Sequence, residues 1–151
     1  MSGELLHGVR TYLEMEGSPK ANLLNALAYL HSWLGPDTWI GFYIYRKEED
    51  ILELSLFQGT PACLKIKPSR GVVGASFTQK SDIYVPDVHR FAGYIACDSK
   101  SRSESVFYME NEKGQVAIFD IDSPVFDGLR EKNEDLREIS DLLQAYIGDL
   151  Y

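Results

Sequence analysis

The run WIGFYIYRKEEDILELSLF, residues 39–57, restricts the fold more than any other stretch of the chain. Its first half is aromatic and β-branched, and in its second half Leu52, Leu54 and Leu56 alternate with Glu53 and Ser55, the two-residue period of a strand. Only the turn-like KEED lies between them, and so short a connection joins antiparallel neighbours; a parallel pair needs a crossover of about a dozen residues or more. The middle of the chain therefore reads as an antiparallel meander. Further strands are expected at 62–66, 83–86, 105–110 and 115–121, with GVVGASFTQK as a short helix or turn after the third.

Helical periodicity brackets this sheet. From Ser18, an N-cap residue with Pro19 at the first helical position, Leu23, Leu24, Leu27, Leu30 and Leu34 recur at helical spacing until GPD stops them. A shorter helix is expected around 4–15, and a closing one carries the stripe Leu136, Ile139, Leu142, Leu143 and Tyr146. The expected class is α/β of the α+β kind, a central antiparallel sheet with N- and C-terminal helices packed on it, in one domain spanning 1–151.

Composition removes several functions. The 23 acidic against 15 basic residues give a net charge of -8, which repels a phosphate backbone, so no nucleic-acid partner is expected. The N-terminus has no basic region followed by an apolar stretch, and no window approaches the roughly 18 apolar residues of a membrane span. A cytoplasmic location without membrane contact follows as the expectation. His7, His31 and His89 are scattered and the two cysteines form no CxxC pair, so no metal site is expected. SRGVVG lacks the GK[ST] ending of a phosphate loop, and no cofactor is implied.

The cysteines and acids carry the chemical signal. If residues 62–66 form a regular strand, Ala62, Leu64 and Ile66 share one face and Cys63 shares the other with Lys65 and Lys67, off the core and beside charges that favour a thiolate. Cys97 sits among Gly93, Asp98, Ser99, Lys100, Ser101, Arg102 and Ser103, too polar for a core segment, and so belongs to a loop. In QVAIFDIDSP, Asp120 has the parity of Val116 and Ile118 and points inward with Asp122, where a carboxylate needs a partner or a pocket. Glu104 precedes the apolar SVFYM run. A solvated acid or turn cap is the competing reading for Asp122, which precedes Ser-Pro, and for the others.

With WIGFY, FQGTPAC, SRGVVG, VPDVHRFAGYIACDSKSRSE and FDIDSP in this order between Trp39 and Asp127, the chain resembles the GAF-domain free methionine-(R)-sulfoxide reductases. The resemblance implies a GAF-like fold and thiol-dependent reduction of free methionine sulfoxide. It makes Cys97 the nucleophile, Cys63 the resolving cysteine, Glu104, Asp120 and Asp122 the pocket carboxylates, and Trp39 and Tyr43 an aromatic wall, with Asp87 in substrate binding. It also implies thioredoxin as reductant and a homodimer as the assembly. Val73 stands where many members have a third cysteine, and Tyr94 where histidine is common, so no relay runs through position 73. The rival reading is a non-catalytic sensor module on the same fold, expected here to lack an output domain.

Overall fold

In the computed structural model, which describes residues 2–151, the elements run α1 (Ser2–Leu13), α2 (Pro19–Leu34), β1 (Trp39–Arg46), β2 (Ile51–Gln58), β3 (Lys65–Ile66), α3 (Gly71–Gln79), β4 (Ile83–Val85), β5 (Ser103–Glu110), β6 (Val116–Ser123) and α4 (Asn133–Leu143). The six strands form one sheet in the order β3-β2-β1-β6-β5-β4, with every neighbouring pair antiparallel.

Strand parity divides the apolar residues between two layers. Ile40, Phe42 and Ile44 of β1, Phe107 and Met109 of β5, and Ala117, Phe119 and Ile121 of β6 pack with α1, α2 and α4 on one face. The alternate residues, Trp39, Tyr43, Val106 and Ile118, pack with Val72 and Val73 of α3 and with Leu52, Ile66, Val85 and Val88 on the other. The central strands are thus covered on both faces, and the larger core is the one under the helices.

Both ends of α2 are satisfied locally. The Ser18 hydroxyl accepts the Ala21 N–H at 3.2 Å, and Pro19 fills the position where its missing N–H costs nothing. At the far end of α2, the Gly35 N–H donates to the His31 carbonyl, and Lys132 Nζ donates to the carbonyls of Trp33 at 3.3 Å and Leu34 at 3.4 Å. Leu23, Leu27, Leu30 and Leu34 are buried as the spacing requires, whereas Leu24 is exposed because it falls just off the stripe.

Two strand expectations need correction. The β2 alternation does not run straight, because the β1–β2 register shifts between Gly41 and Tyr43; Leu52 and Leu54 pack on the α3 side, and Leu56 packs on the helical side. The expected strand 62–66 shrinks to Lys65–Ile66, and Leu64 is 73% exposed, not inward with Ile66. Cys63 is partly buried against the α3-side core instead of standing opposite it. The chain leaves the ladder there: before β3, the backbone bond from the Leu54 N–H to the Leu64 carbonyl, 2.9 Å, is its last tie to β2.

Gly41 lies on the α3 face opposite Asp120, and a Cβ there would stand 2.5 Å from Phe57 Cβ and 2.7 Å from Trp39 Cη2. The bare backbone is what lets the indole lie across the strand. Gly41→Ala should therefore displace Trp39, shift its fluorescence and cost about 1–3 kcal/mol in urea unfolding. An unchanged spectrum and midpoint would show that the ring does not depend on this gap.

Candidate active site

The period of two that buries Ile118 also sends Asp120 and Asp122 to the α3 side, and Glu104 on β5 pairs directly with Asp122. Glu104 and Asp120 are buried and Asp122 is partly so. One carboxylate oxygen from each lies within 4.8 Å of the others. Trp39 pairs with Asp122 across β1 and β6, and Tyr43 lies one site-facing step beyond Gly41. Trp39 and Tyr43 rings stack with centroids 6.2 Å apart, and Trp39 also stacks on Phe57 at 5.3 Å.

These aromatic rings anchor the loop that carries Cys63. Trp39 Nε1 donates to the Thr60 carbonyl at 2.9 Å, and the Tyr43 hydroxyl donates to the Cys63 carbonyl at 2.8 Å. Thr60 Oγ1 then donates to Asp98 Oδ2 at 3.0 Å, joining this loop to the one bearing Cys97. The Gly71 N–H donates to the Gly93 carbonyl at 3.2 Å, tying the second loop to the start of α3. Cys63 and Cys97, 34 residues apart in sequence, are consequently brought to a Cα separation of 5.4 Å and form a disulfide.

Beneath Cys97 is a cavity of about 40 Å³, lined on the strand side by Trp39, Tyr43, Glu104, Asp120 and Asp122. The helix α3 and the Cys97 loop supply its other wall, including Val73, Tyr94 and Ser101. Of the residues that the family resemblance put forward, Cys63 borders this cavity only through its bond to Cys97, and Asp87 does not line it. Its carboxylate accepts the His89 N–H at 3.1 Å and faces Arg102 Nε at 3.8 Å, fixing the turn that leads toward Cys97. Asp98, Ser101 and Arg70 escaped the sequence reading: a loop aspartate, serine or arginine has no periodicity to reveal where it points.

Burial disfavours the ionised form of every acid in the cluster, and crowding adds to it. Glu104 is pushed well above the ordinary carboxylate range, by desolvation first and then by Asp120 and Asp122. Asp122 moves the same way, from desolvation and then Asp120. Asp120 is pushed up to about 6 by desolvation, against a hydrogen bond with Glu104 that lowers it. The cluster thus keeps protons near neutrality, with Asp120 the readiest to ionise. Tyr94 is pushed up to about 12 by burial and by Glu104 and Asp122, so its phenol stays a donor. Three carboxylates so placed suit a small cation, either a metal ion or an alkylammonium, and they hold a transferable proton.

Because these folded-state values lie above those of the unfolded chain, the native protein binds more protons. The associated stability is complete below the ordinary carboxylate range and is lost as pH rises through about 6 and above. Glu104→Gln relieves part of that penalty. Its urea midpoint should rise relative to the parent as pH increases across this window, and a difference independent of pH would contradict buried, proton-holding acids.

No protein-family model matches the chain. Among curated proteins, Protein YtsP of Bacillus subtilis is 40% identical over 131 residues, 85% of this chain and 80% of that protein. The free methionine-R-sulfoxide reductase of Escherichia coli is 39% identical over 119 residues, 79% of this chain and 71% of the reductase. The crystal structure of the Neisseria meningitidis free methionine-R-sulfoxide reductase in complex with its substrate superposes with a TM-score of 0.87 at 29% identity, covering 98% of this chain and 89% of that one. With such identity and coverage, and with the GAF fold beneath it, this chain belongs to the free methionine-R-sulfoxide reductases.

Proposed function

We propose that the protein reduces free L-methionine (R)-S-oxide to methionine with its own thiols, as one GAF-like domain over residues 1–151. The observation that carries this reading is the Cys63–Cys97 disulfide at the mouth of a cavity that holds three clustered carboxylates.

Reduced Cys97 attacks the electrophilic sulfoxide sulfur as a thiolate, and the oxygen leaves sulfur only when a proton accompanies it. Glu104 and Asp122, held protonated by burial and by each other's company, are the donors in this proposal. The oxygen passes to Cys97 as a sulfenic acid, and methionine is released. Cys63 then attacks that sulfenic sulfur, water leaves, and the disulfide remains. Two electrons from an external dithiol reopen it, and thioredoxin, near −270 mV, is the proposed donor.

The substrate is chosen by charge and size. A free amino acid brings an α-ammonium that a methionine within a protein lacks, and Asp120 with its neighbours provides the anionic pocket for it. Trp39 and Tyr43 cover the methyl and thioether portion, where sulfur–aromatic contact contributes about 0.3–1.5 kcal/mol. Asp87 enters the proposal through the turn that it braces. A homodimer in the cytoplasm completes the reading; none of the described helices is long and apolar enough to cross a membrane. A sensor module would need neither the sulfur pair nor the proton store.

Cys97→Ser should abolish methionine formation in the presence of either dithiothreitol or thioredoxin. Cys63→Ser should release a single methionine per protein molecule and then stall with thioredoxin, its Cys97 trapped as sulfenic acid by a dimedone probe. Full multiple turnover by Cys63→Ser with thioredoxin would remove Cys63 from the cycle, and activity in Cys97→Ser would overturn the reaction as written.

A further inference from the structure

The disulfide has an inner and an outer end. Cys97 lines the cavity, whose volume of about 40 Å³ is little more than one water molecule's share of the liquid, so no thiol carried by a protein reaches it from within. Cys63 does not line the cavity and lies in the 61–64 segment that has left the sheet.

What surrounds Cys63 on the surface is unlike the rest of the molecule. Leu64, the next residue, is 73% exposed, more than any other large apolar side chain among the described residues, and it belongs to neither core. Pro61 and Ala96 are exposed near the two sulfurs, and Pro61 shares the cavity rim with Ile95 and Arg70. A single exposed leucine is ordinary; the charge around this one is not. From Leu54 to Ser81 the chain has no aspartate or glutamate, although it carries 23 acids in all, and Lys65, Lys67 and Arg70 follow Leu64 closely. Lys65 is paired with Glu49 at 3.1 Å, whereas Lys67 and Arg70 are exposed and make no ion pair among the described residues. In a protein of net charge -8, this local positive collar beside the disulfide steers an acidic partner to it.

We infer that Leu64, with Lys67 and Arg70 beside it, is the docking surface for the protein dithiol that reopens the Cys63–Cys97 disulfide, a partner whose reactive thiol is rimmed by apolar and acidic side chains. This rests on the reaction proposed above and adds where its reductant binds. The partner's thiolate attacks Cys63 Sγ, the Cys63–Cys97 bond breaks, and Cys97 Sγ leaves with the electron pair and takes up a proton. The partner's second thiolate then attacks the mixed disulfide, closes the partner's own disulfide and releases Cys63 as a thiol. Two electrons and two protons have passed from the dithiol to the cysteine pair.

The test measures kcat/KM for thioredoxin, supplied with its reductase and NADPH, against turnover with dithiothreitol, which needs no docking surface. Leu64→Asp should lower kcat/KM for thioredoxin at least about tenfold, because it puts a charge of the wrong sign into the contact, and leave dithiothreitol turnover at the parent level. In the parent, kcat/KM for thioredoxin should fall as added salt screens the collar; Lys67→Glu should lower it at low salt and flatten that fall. Circular dichroism checks that each variant is folded. A thioredoxin whose second active-site cysteine is serine should remain bonded to Cys63 once the freed Cys97 is alkylated, as peptide mapping would show. Capture on Cys97, or thioredoxin kinetics unchanged in both variants, overturns the docking surface, as does a parent that dithiothreitol recycles and thioredoxin does not. A parent that forms no methionine even with dithiothreitol instead overturns the underlying reaction.

Discussion

Like charges at close range in a buried corner cannot all ionise, and the site depends on that constraint. Glu104, Asp120 and Asp122 come from two adjacent strands, and nothing about strand pairing requires three acids on one inward face. A sheet whose only task was to fold would place hydrophobic residues there, as it does at Val106 and Ile118 on the same face. Burial holds Glu104 and Asp122 in their protonated forms, and in the proposed reaction that retained proton serves the breaking of the sulfur–oxygen bond. The cost of burying them and the chemistry they support have one origin.

The rest of the molecule positions sulfur over that corner. Trp39 and Tyr43 serve two ends at once: their rings cover the cavity, and their polar atoms hold the Thr60–Cys63 segment by its carbonyls. Gly41 makes room for the indole, and the Thr60–Asp98 hydrogen bond brings the second loop into register with the first. None of these contacts is strong alone, each being worth about 0.5–1.5 kcal/mol net, but all of them act on the distance between the same two residues. The helical core packs on the opposite face of the sheet.

The sequence disclosed what regular periodicity governs. The β1–β2 hairpin, the α2 stripe and the inward parity of Asp120 and Asp122 were all legible, because side-chain direction in a helix or an unbroken strand follows from counting. Counting failed where the chain leaves regular structure. Ala62, Cys63 and Leu64 precede a strand of only two residues, so alternation misplaced both Cys63 and Leu64. Leu56 was misassigned by a register shift that no local pattern announces. Arg70 and Asp98 gain their meaning from neighbours far along the chain, and Asp87 serves a turn, for which an isolated aspartate is as well suited as for a pocket.

The Cys63–Cys97 bond closes a loop between residues 34 positions apart that takes in β3, α3 and β4. On a chain-entropy account, a ring of that size removes enough freedom from the denatured chain to add about 4 kcal/mol to native stability, a large share of what holds an ordinary domain together. The redox cycle is then a mechanical one as well. Every oxidation tightens the fold and every reduction slackens it, so the molecule is hardiest when spent and most fragile when ready to work. Resistance to heat and proteolysis would track the dithiol supply around it.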